Sequence, residues 1–573
     1  MSATYFCYLL GHVICFRCSN GVSKMPYVDS ERAFLEAKGQ ERVLMRFVTE
    51  LLLELERRGS WDKKTLQFLK ISLSRKYQLP RIPRDYELLR YLPDELREKF
   101  RDLFKIKPVR TLSGVAVVAV MTRPLPCPGK CIYCPGGINA RRPSPKSYTG
   151  IEPAARRAFQ YNYDPFLQVR GRIKQLETIG HVPEKIEIII MGGTFLAAPR
   201  EYKESFIKGV YEGILGKRFP NASLEELKRM LETSKYRLVG LTIETRPDYC
   251  MEKHVDEMLF YGATRVEIGV QTLDDEVLRF IKRGHDVETV RRAFRIAKDA
   301  GFKIVAHMML NLPPSDPRRD LDSFKRLFID PDFRPDMLKI YPTAVIEGTE
   351  LYEMWRRGDY EPYSEETLIR IIAEIKKFIP PWVRIQRVQR DIPVKIVLAG
   401  YSVGHLRDVV KRYMLARGWR CRCIRCREVG LKEHKEGIKV NPDYVRFIIR
   451  KYEASQGEEL FLSYEDIKND VIIGFLRLRK PSEYAHRPEI DENTMIVREL
   501  HVYGSLVPIG MRRSNGWQHR GFGAKLLQMA EKIAVEDYDA QKIIIISGIG
   551  VREYYRKFGY RLEGPYMSKK LLY

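Results

Sequence analysis

The chain has few acidic residues for its number of basic ones, and it lacks long hydrophobic runs. It contains 74 Asp and Glu against 100 Lys and Arg in 573 residues, which gives a formal net charge of +26. The only notable apolar run near a terminus, residues 4–16, is too short to span a bilayer and follows no Lys or Arg. These absences argue against a signal peptide and a membrane span, so we expect a cytoplasmic protein without membrane partners.

Cysteine is also sparse, and its placement excludes a disulfide framework. Nine of the ten cysteines fall into three clusters, which is typical of metal ligands and indicates a reducing compartment. The first cluster could be a metal site, but we expect residues 1–25 to be a disordered tail or an over-extended start before Met25. The clusters are Cys7, Cys15 and Cys18; Cys127, Cys131 and Cys134; and Cys421, Cys423 and Cys426.

The surplus of positive charge favours polyanionic partners, because such a field attracts them and raises encounter rates. Nucleic acid is therefore the leading partner, and a generally basic surface without a dedicated ligand is the alternative. The length predicts three or four domains, and 44% hydrophobic with 30% charged residues indicates a soluble globular protein.

Residues 26–105 are predicted to be a basic helical region that binds nucleic acid. Apolar residues recur at three- and four-residue spacing in ERVLMRFVTELLLELERRG and KKTLQFLKISLSRKYQL. Basic side chains there could face phosphates while Tyr77 and Tyr86 stack on bases, and a solvated helical face is the alternative. The basic residues are Lys63, Lys64, Lys70, Arg75, Lys76, Arg81, Arg84 and Arg90.

Residues 106–395 alternate apolar strands with helical segments. This pattern is typical of a parallel sheet that closes, or partly closes, into a (β/α) barrel. Such barrels bind ligands at the carboxyl ends of their strands, where polar residues follow the apolar runs here. The strand candidates are GVAVVAVM, KIEIIIMGG, RLVGLTIETRP, RVEIGVQT, KIVAHMMLNLP and MLKIYPT.

The segment Cys127-Pro-Gly-Lys-Cys131-Ile-Tyr-Cys134 follows the first strand candidate. Three thiolates leave one iron of a 4Fe–4S cluster open, and an open iron can hold the amino and carboxylate groups of S-adenosylmethionine. A zinc site without its fourth ligand and three buried cysteines are the alternatives. The spacing, with Tyr133 before the last cysteine, resembles the radical-SAM superfamily.

Other residues are assigned to the cofactor by the same resemblance. Met191-Gly192-Gly193-Thr194 is similar to the glycine-pair segment with which radical-SAM enzymes meet the methionine amino group, because glycine permits close approach. Polar residues at later strand ends could hold the ribose and carboxylate, although each could instead be an internally satisfied polar residue. These are Glu244, Arg246, Gln271 and Asn311.

Lys339, in LKIYPT, is predicted to be a cofactor-binding and catalytic residue. A lysine at a strand end near an apolar interior needs an anionic partner, and a carboxylate or a CoA phosphate would serve. The alternative is an outward lysine on an amphipathic strand.

Residues 396–440 are predicted to be a zinc-binding linker. Zinc held by Cys421, Cys423 and Cys426 would stabilise this irregular segment, with His434 as the candidate fourth ligand. Arginines interleave with or flank these cysteines, so a phosphate-binding knuckle is the alternative. They are Arg417, Arg420, Arg422, Arg425 and Arg427.

Residues 441–573 are predicted to be an α/β domain in which a glycine-rich turn opens a helix. Backbone amides left open at Gly521 and Gly523 form a pyrophosphate cradle. The turn matches the Gln/Arg-x-x-Gly-x-Gly/Ala signature of GNAT acetyltransferases, which implies acetyl-CoA. In that family a tyrosine at the position of Tyr555 can protonate the departing CoA thiolate, with Tyr554 as the fallback and core packing as the alternative. The turn comprises Gln518, His519, Arg520, Gly521, Phe522, Gly523 and Ala524.

Two cofactor modules in this order resemble the catalytic subunit of Elongator and its archaeal and bacterial single-chain relatives. The likeness covers residues 80–573 and includes CIYCPGG, IVRELHVYG, QHRGFG and GPYMSK; the x3 cysteine gap suggests the archaeal or bacterial type. It implies a tRNA wobble-uridine carboxymethyltransferase that joins an acetyl-CoA-derived group to carbon 5 of the base. The implied cofactors are a 4Fe–4S cluster, S-adenosylmethionine, acetyl-CoA and zinc; an electron donor is required, and a homodimer or accessory subunits stay open.

Two other functions fit parts of the sequence. A protein lysine acetyltransferase would need only the GNAT half and would work without S-adenosylmethionine or reductant. A nucleic-acid-binding scaffold with a degenerate barrel is opposed by the intact cysteines of the 127–134 loop.

Overall fold

The computed structural model describes residues 16–18, 21–23, 39–59, 61–89, 91–92, 103–104, 114–504 and 521–571. The chain divides into two compact units, of which the first comprises residues 1–108 with 174–182 and the second comprises 109–173 with 183–573. None of the described helices is long and apolar enough to cross a membrane. Predicted site residues outside the described ones are Gln518, His519 and Arg520, and so are Cys7, Cys15 and Arg90.

The first unit is a helical bundle, as its apolar periodicity predicts. Its core contains Leu51, Leu55 and Leu69, and the Asp62 side chain caps the second helix by accepting from the backbone of Lys64. Before the bundle, strands β1 (Phe16–Cys18) and β2 (Gly21–Ser23) pair antiparallel within the predicted tail. The helices are Gly39–Arg57, Lys63–Lys76 and Asp85–Leu89.

Several basic residues of this bundle are held by acidic neighbours, and one of them, Lys70, does not fit the predicted phosphate-facing surface. Lys70 is buried, with Nζ 2.6 Å from Asp85 Oδ1, and the Tyr77 hydroxyl donates to Glu50 over 2.8 Å. Lys70 is not available to RNA because it is buried, whereas Tyr77 is half-buried with its hydroxyl bonded to an acidic side chain. Lys63 and Arg81 also form ion pairs, with Asp85 and Glu87, and Lys76 pairs with Glu50, whereas Lys64, Arg75 and Arg84 are exposed.

Seven parallel strands in chain order form the first of two sheets in the second unit, and β3 and β9 lie at its two edges. The sheet is therefore the open half-barrel that was one of the two predicted forms. Isoleucines on alternate positions of β4 are fully buried, which explains its strand pattern. The strands are β3 (Ala116–Met121), β4 (Lys185–Met191), β5 (Arg237–Thr245), β6 (Arg265–Gln271), β7 (Lys303–Leu310), β8 (Met337–Pro342) and β9 (Arg384–Val388).

Helices connect and follow these strands, and acidic or hydroxyl side chains begin many of them. Asp286 and Asp316 accept hydrogen bonds from the first turns of their helices, and Ser223 forms a capping box with Glu226. The helices are Pro153–Gln160, Pro165–Thr178, Arg200–Leu215, Leu224–Glu232, Glu252–Phe260, Asp275–Phe280, Val287–Asp299, Pro317–Ile329, Glu350–Arg357, Glu365–Phe378, Leu406–Leu415, Ile424–Arg427 and Val429–Glu436.

A second seven-stranded sheet follows, and the helices Phe522–Glu536 and Arg552–Arg556 belong to the same domain. Its order is β10-β11-β12-β13-β14-β16-β15, and every pair except β13 with β14 is antiparallel. The strands are β10 (Val445–Ala454), β11 (Gly457–Asp466), β12 (Val471–Lys480), β13 (Thr494–Val502), β14 (Lys542–Ile545), β15 (Arg561–Glu563) and β16 (Tyr566–Lys570).

An irregularity in β13 changes which residues face the half-barrel. The register with β12 shifts so that Arg477 pairs with Glu499 while Leu478 pairs with Val497. Such a bulge interrupts the alternation of side chains. Val497 packs with the helix of its own domain, whereas Ile496 belongs to the half-barrel core. The bulge therefore lets Arg498 and Glu499, consecutive in sequence, both interact with half-barrel residues.

The C-terminal sheet packs against the amino ends of the half-barrel strands. Arg498 donates over 2.6 Å to the carbonyl oxygen of Phe302, the residue before β7, and Tyr566 donates to Ala300 over 3.0 Å. A Cβ at Gly548 would overlap the carbonyl oxygen of Val239, near the start of β5. The Cys127 loop follows the carboxyl end of β3, so this loop and the C-terminal sheet lie at opposite ends of one half-barrel.

Candidate functional site

The loop after β3 surrounds its three cysteine sulfurs with hydrogen-bond donors. The Gly129 amide donates to Cys127 Sγ over 3.4 Å, and the Ser147 amide donates to Cys134 Sγ over 3.1 Å. Burial, followed by the charge of Cys131, raises the pKa of Cys134 to about 11. A thiolate at Cys134 therefore needs a cation beside it, which an iron centre supplies.

The spacing of these sulfurs fits a cluster better than a single metal ion. In some groups of described Cys, His and carboxylate side chains, all ligand atoms lie within 4.8 Å of one another. Cys127, Cys131 and Cys134 do not form such a group. A tetrahedral zinc ion holds its sulfur ligands about 2.3 Å from the metal and hence close together, whereas a 4Fe–4S cluster separates them. The zinc alternative is thus disfavoured at Cys127, Cys131 and Cys134.

Arg283 contacts one of the three cysteine sulfurs of the loop. Its Nη1 donates to Cys131 Sγ over 3.4 Å, and its Nη2 donates to the Gly269 carbonyl oxygen over 2.6 Å. The side chain is buried, so the guanidinium is fixed against the ligand. Hydrogen bonds and positive charge at cluster sulfurs stabilise the reduced state.

We expect Arg283→Met to make the midpoint potential of the reconstituted cluster more negative, because the N–H···S bond and the nearby charge are both removed. Potentiometric titration followed by electron paramagnetic resonance measures this. Lys282→Met is the matched control, because Lys282 is exposed and pairs with Glu350. An unchanged potential in Arg283→Met would contradict the assignment.

Residues after β4 and β5 line the same end and fit S-adenosylmethionine. A Cβ at Gly192 would overlap Thr122, and Gly193 has a left-handed φ of 79°. Arg246 forms a two-point ion pair with Asp248, at 2.9 and 3.0 Å. Its buried Nη1 has no partner among the described residues and lies at the cysteine loop, where a Cβ at Gly129 would meet it. An anionic group such as a carboxylate would satisfy that atom.

Three further predicted cofactor residues have different surroundings. Thr194 Oγ1 lies 3.7 Å from Cys127 Sγ. Gln271 ends β6 with a positive φ of 76° and is half-buried. The Asn311 side-chain oxygen accepts from the Tyr363 amide over 2.7 Å and from Tyr360. Asn311 is thus partly committed to an internal turn, the alternative foreseen for such residues.

Side chains of β5 to β8 form what we call the interior polar layer: Glu244, Glu267, His307 and Lys339. The Lys339 ammonium pairs with the Glu267 carboxylate, so its anionic partner is a carboxylate and the outward alternative is wrong. His307 Nε2 lies 2.9 Å from Glu267 Oε2. The Tyr148 hydroxyl donates to Glu244 over 2.6 Å.

The charges of this layer are set by mutual contact. Burial alone would raise the pKa of Glu267, but the Lys339 ammonium and the His307 bond outweigh it and hold that pKa well below its usual range. Burial, followed by Lys339, lowers the pKa of His307 to about 4. At neutral pH the layer thus presents a carboxylate that is contacted by both an ammonium and a neutral imidazole.

Sequence reasoning missed Glu267 and His307. Each lies inside a largely apolar strand: Glu267 in RVEIGVQ and His307 in KIVAHMML. The available signal was the chemistry itself, because a charged residue in a strand buried on both faces needs a partner. Which partner it has depends on strand register: His307 is opposite Lys339 in the β7–β8 pairing.

A second set of buried polar groups lies between the half-barrel and the C-terminal sheet. Burial lowers the pKa of Lys303 to about 8, and the Glu499 carboxylate opposes that shift. Burial also lowers the pKa of His501 to about 4, and its Nε2 has no partner within the described residues. A polar region therefore lies below the interior polar layer, on the side of the C-terminal sheet.

The glycine-rich turn leads into the helix Phe522–Glu536, and Gly521 has a left-handed φ of 83° at its start. A Cβ at Gly523 would come within 2.9 Å of the Tyr554 hydroxyl. Tyr555 is instead buried in the domain core. Of the two predicted tyrosines, Tyr554 therefore presents its hydroxyl to the cradle, and Tyr555 fits the packing alternative.

Cys421, Cys423 and Cys426 form one of the tight groups whose ligand atoms lie within 4.8 Å. Hydrogen bonds among the sulfurs lower the pKa of Cys423 and raise that of Cys421. His434 is exposed on a neighbouring helix and is not a member of the group. The geometry suits a small tetrahedral ion with three thiolates, and the predicted fourth ligand receives no support.

The fold and the two ends of the half-barrel define a radical-SAM protein joined to a GNAT acetyltransferase domain. Family models match in that order: the ELP3 N-terminal domain at residues 44–112, the Radical SAM superfamily at 126–325, the Radical_SAM C-terminal domain at 335–416 and the Acetyltransferase (GNAT) family at 431–560. The radical-SAM module binds a 4Fe–4S cluster with S-adenosylmethionine, and the GNAT module binds acetyl-CoA.

Close relatives extend over nearly the whole chain. A Methanocaldococcus jannaschii protein named tRNA uridine(34) acetyltransferase is 49% identical over 92% of this chain and 98% of its own length. Elongator complex protein 3 of Saccharomyces cerevisiae is 48% identical over 90% and 93%. The solved archaeal Elp3 of Methanocaldococcus infernus, with residues 1–46 deleted, matches with a TM-score of 0.72 at 47% identity, over 80% of this chain and 100% of that one. The chain belongs to the Elongator complex protein 3 family.

Proposed function

We propose that this protein modifies the wobble uridine of tRNA, joining the methyl carbon of an acetyl-CoA-derived acyl group to carbon 5 of the base. The methyl carbon would lose one hydrogen atom to the S-adenosylmethionine-derived radical, and carbon 5 would lose its hydrogen as a proton, with one electron returned to the cluster. Hydrolysis of the thioester by water then releases CoA and leaves carboxymethyluridine. The observation that carries this proposal is that the acetyl-CoA domain and the cysteine loop lie at opposite ends of one half-barrel. Relatives named tRNA uridine(34) acetyltransferase support the substrate. Polar side chains between the two ends support delivery of the acetyl group as its CoA thioester, which is hydrolysed only after the carbon–carbon bond has formed.

Bound at Cys127, Cys131 and Cys134, the cluster and S-adenosylmethionine supply the one-electron chemistry that a carbon–carbon bond to an unactivated position requires. The chain's own residues hold and shield the reactants. Arg246 Nη1 offers a buried donor to the cofactor carboxylate, and the buried walls of the half-barrel exclude water. An external electron donor completes the requirement.

At the other end, the Gly521–Gly523 turn would receive the CoA pyrophosphate at a helix start. We assign the protonation of the departing CoA thiolate to Tyr554, because its hydroxyl adjoins Gly523. Burial raises the pKa of Tyr554, so the hydroxyl keeps its proton at neutral pH.

We also propose that Cys421, Cys423 and Cys426 hold a structural zinc ion. Metal analysis of the purified protein tests this, with Cys423→Ala expected to lose one zinc per chain. Cys250→Ala is the matched control, because Cys250 is buried away from any tight ligand group of the described residues.

The proposed function is tested by nucleoside mass spectrometry. Uridine-wobble tRNA is incubated anaerobically with the reconstituted protein, S-adenosylmethionine, acetyl-CoA and dithionite. Carboxymethyluridine that disappears when S-adenosylmethionine is omitted is the expected result. Consumption of acetyl-CoA without this product would favour a conventional acyltransferase, such as the protein lysine acetyltransferase that the relatives do not favour.

A further inference from the structure

The interior polar layer contains hydrogen-bond acceptors without donors. Glu267 is fully buried, and its Oε1 has no hydrogen-bond partner among the described residues. His307 uses Nε2 toward Glu267, and its Nδ1 forms no hydrogen bond within the described part of the chain. A buried acceptor without a donor is unfavourable, so a ligand that brings a donor would be stabilised in this layer.

The same layer contains a cation that has more N–H donors than it uses. Lys339 is buried and uses one N–H toward Glu267, and an ammonium group has three. The neutral state of His307 leaves Nδ1 as an acceptor once Nε2 carries the proton bonded to Glu267. Lys339 and the Glu267–His307 pair thus offer a donor next to acceptors at one level of the half-barrel.

A metal ion does not fit this arrangement. Ligand atoms of Glu244, Glu267 and His307 do lie within 4.8 Å of one another. However, the Lys339 ammonium already occupies Glu267 Oε2, and it would repel a divalent cation at that distance. The missing partner is therefore a group with a polar N–H or O–H donor.

In the proposed function, on which this inference rests, the group that combines such a donor with flanking carbonyl acceptors on one edge is the uracil base. A thioester carbonyl offers acceptors alone and would leave Glu267 Oε1 unpaired. The imide edge of uracil offers an N3–H donor between two carbonyl acceptors. Its pattern is complementary to acceptors at Glu267 and His307 beside a donor at Lys339.

We propose that Glu267, His307 and Lys339 recognise the imide edge of the wobble uracil: N3–H donates to the Glu267–His307 pair, and Lys339 donates to an adjoining carbonyl oxygen. Base-modifying enzymes commonly contact an extruded base at this edge. Cytosine presents a bare N3 and an amino group in place of that pattern, so it would face the acceptors with a lone pair and the ammonium with donors. A site of this kind rejects the mismatched analogue strongly, by up to about 10⁴-fold.

The test compares anticodon stem-loop RNAs that differ only at the wobble base: uridine, 3-methyluridine and cytidine. With the reconstituted wild-type protein, we expect carbon-5 modification of 3-methyluridine and cytidine to be at least about 100-fold slower than that of uridine. This probe changes the ligand alone, so it does not depend on how a variant folds.

Glu267→Gln supplies the second arm. Its amide keeps the shape but loses the carboxylate, so the uridine rate should fall by about 100-fold. The penalty for 3-methylation should shrink to within about tenfold, because the contact is already lost. Release of 5'-deoxyadenosine should persist, which a collapsed site would not allow. Glu257→Gln is the matched control, because Glu257 pairs with the buried Lys203 on the outer helices.

Each remaining outcome counts against a stated idea. Equal modification of uridine and 3-methyluridine by the wild type would overturn the imide assignment. An undiminished 3-methyl penalty in Glu267→Gln would overturn the role of that carboxylate. If the wild type forms no product on uridine RNA, the proposed function itself fails.

Discussion

Replacement of Cys131 by alanine abolishes carboxymethyluridine formation. Removing one of three thiolates leaves the cluster with two protein ligands, and Cys131 is also the sulfur to which Arg283 donates. The GNAT domain has a hydrophobic cluster of its own, which the substitution does not touch, so it keeps its fold. We therefore expect loss of product to below detection, together with loss of the visible absorption and electron paramagnetic resonance signal of the cluster.

Cys250→Ala is the control for this change. The same substitution is made at a buried cysteine that packs in the half-barrel core and lies outside the 127–134 loop. Nucleoside mass spectrometry and iron analysis should find both activity and iron close to wild type. Product formation by Cys131→Ala would remove the cluster from the reaction and favour the lysine acetyltransferase.

Replacement of Asp336 by alanine destabilises the joint between half-barrel and GNAT sheet by about 3–5 kcal/mol. Asp336 is fully buried and accepts from Arg498 Nη1 over 2.9 Å and from the Ile304 amide over 2.8 Å. Lys298 and Arg477 lie nearby, at 3.9 and 3.5 Å. Without the carboxylate these cations stay buried with too little compensating charge.

Urea unfolding followed by intrinsic fluorescence, and limited proteolysis between the domains, measure the effect. Asp256→Ala is the matched control, because Asp256 also pairs with an arginine of the C-terminal domain, Arg487, but its side chain is 42% exposed. The Asp256→Ala substitution should lower the free energy of unfolding by at most about 1 kcal/mol. Equal losses in the two variants would show that burial is not the source of the Asp336 contribution.

Six of the seven half-barrel strands were predictable because each is a continuous apolar run, as a sheet covered on both faces requires. The seventh, RIQRV, was missed because three of its five residues are polar, although Ile385 and Val388 are buried. Strand β10 was missed for a related reason: it lies at the sheet edge, and exposed and half-buried residues mix along most of it.

The cysteine loop and the glycine-rich turn were also predictable, since cysteine spacing and glycine turns are local in sequence. Contacts between distant strands were not. Glu267 and Lys339 are 72 residues apart, and only strand register joins them. The choice of Tyr554 over Tyr555 likewise depended on which face of a short helix packs into the core.

The sequence by itself determined the two cofactor modules, their order and the half-barrel class, because these depend on short motifs and on the periodicity of apolar residues. Only the tertiary structure decided that the GNAT sheet covers the amino ends of the strands, that Lys70 and Tyr77 are tied to acidic neighbours, and that an unsatisfied Glu267 lies beside His307 and Lys339. The physical reason is that burial and pairing of charges depend on side chains brought together by packing, for which a linear pattern carries no local signal.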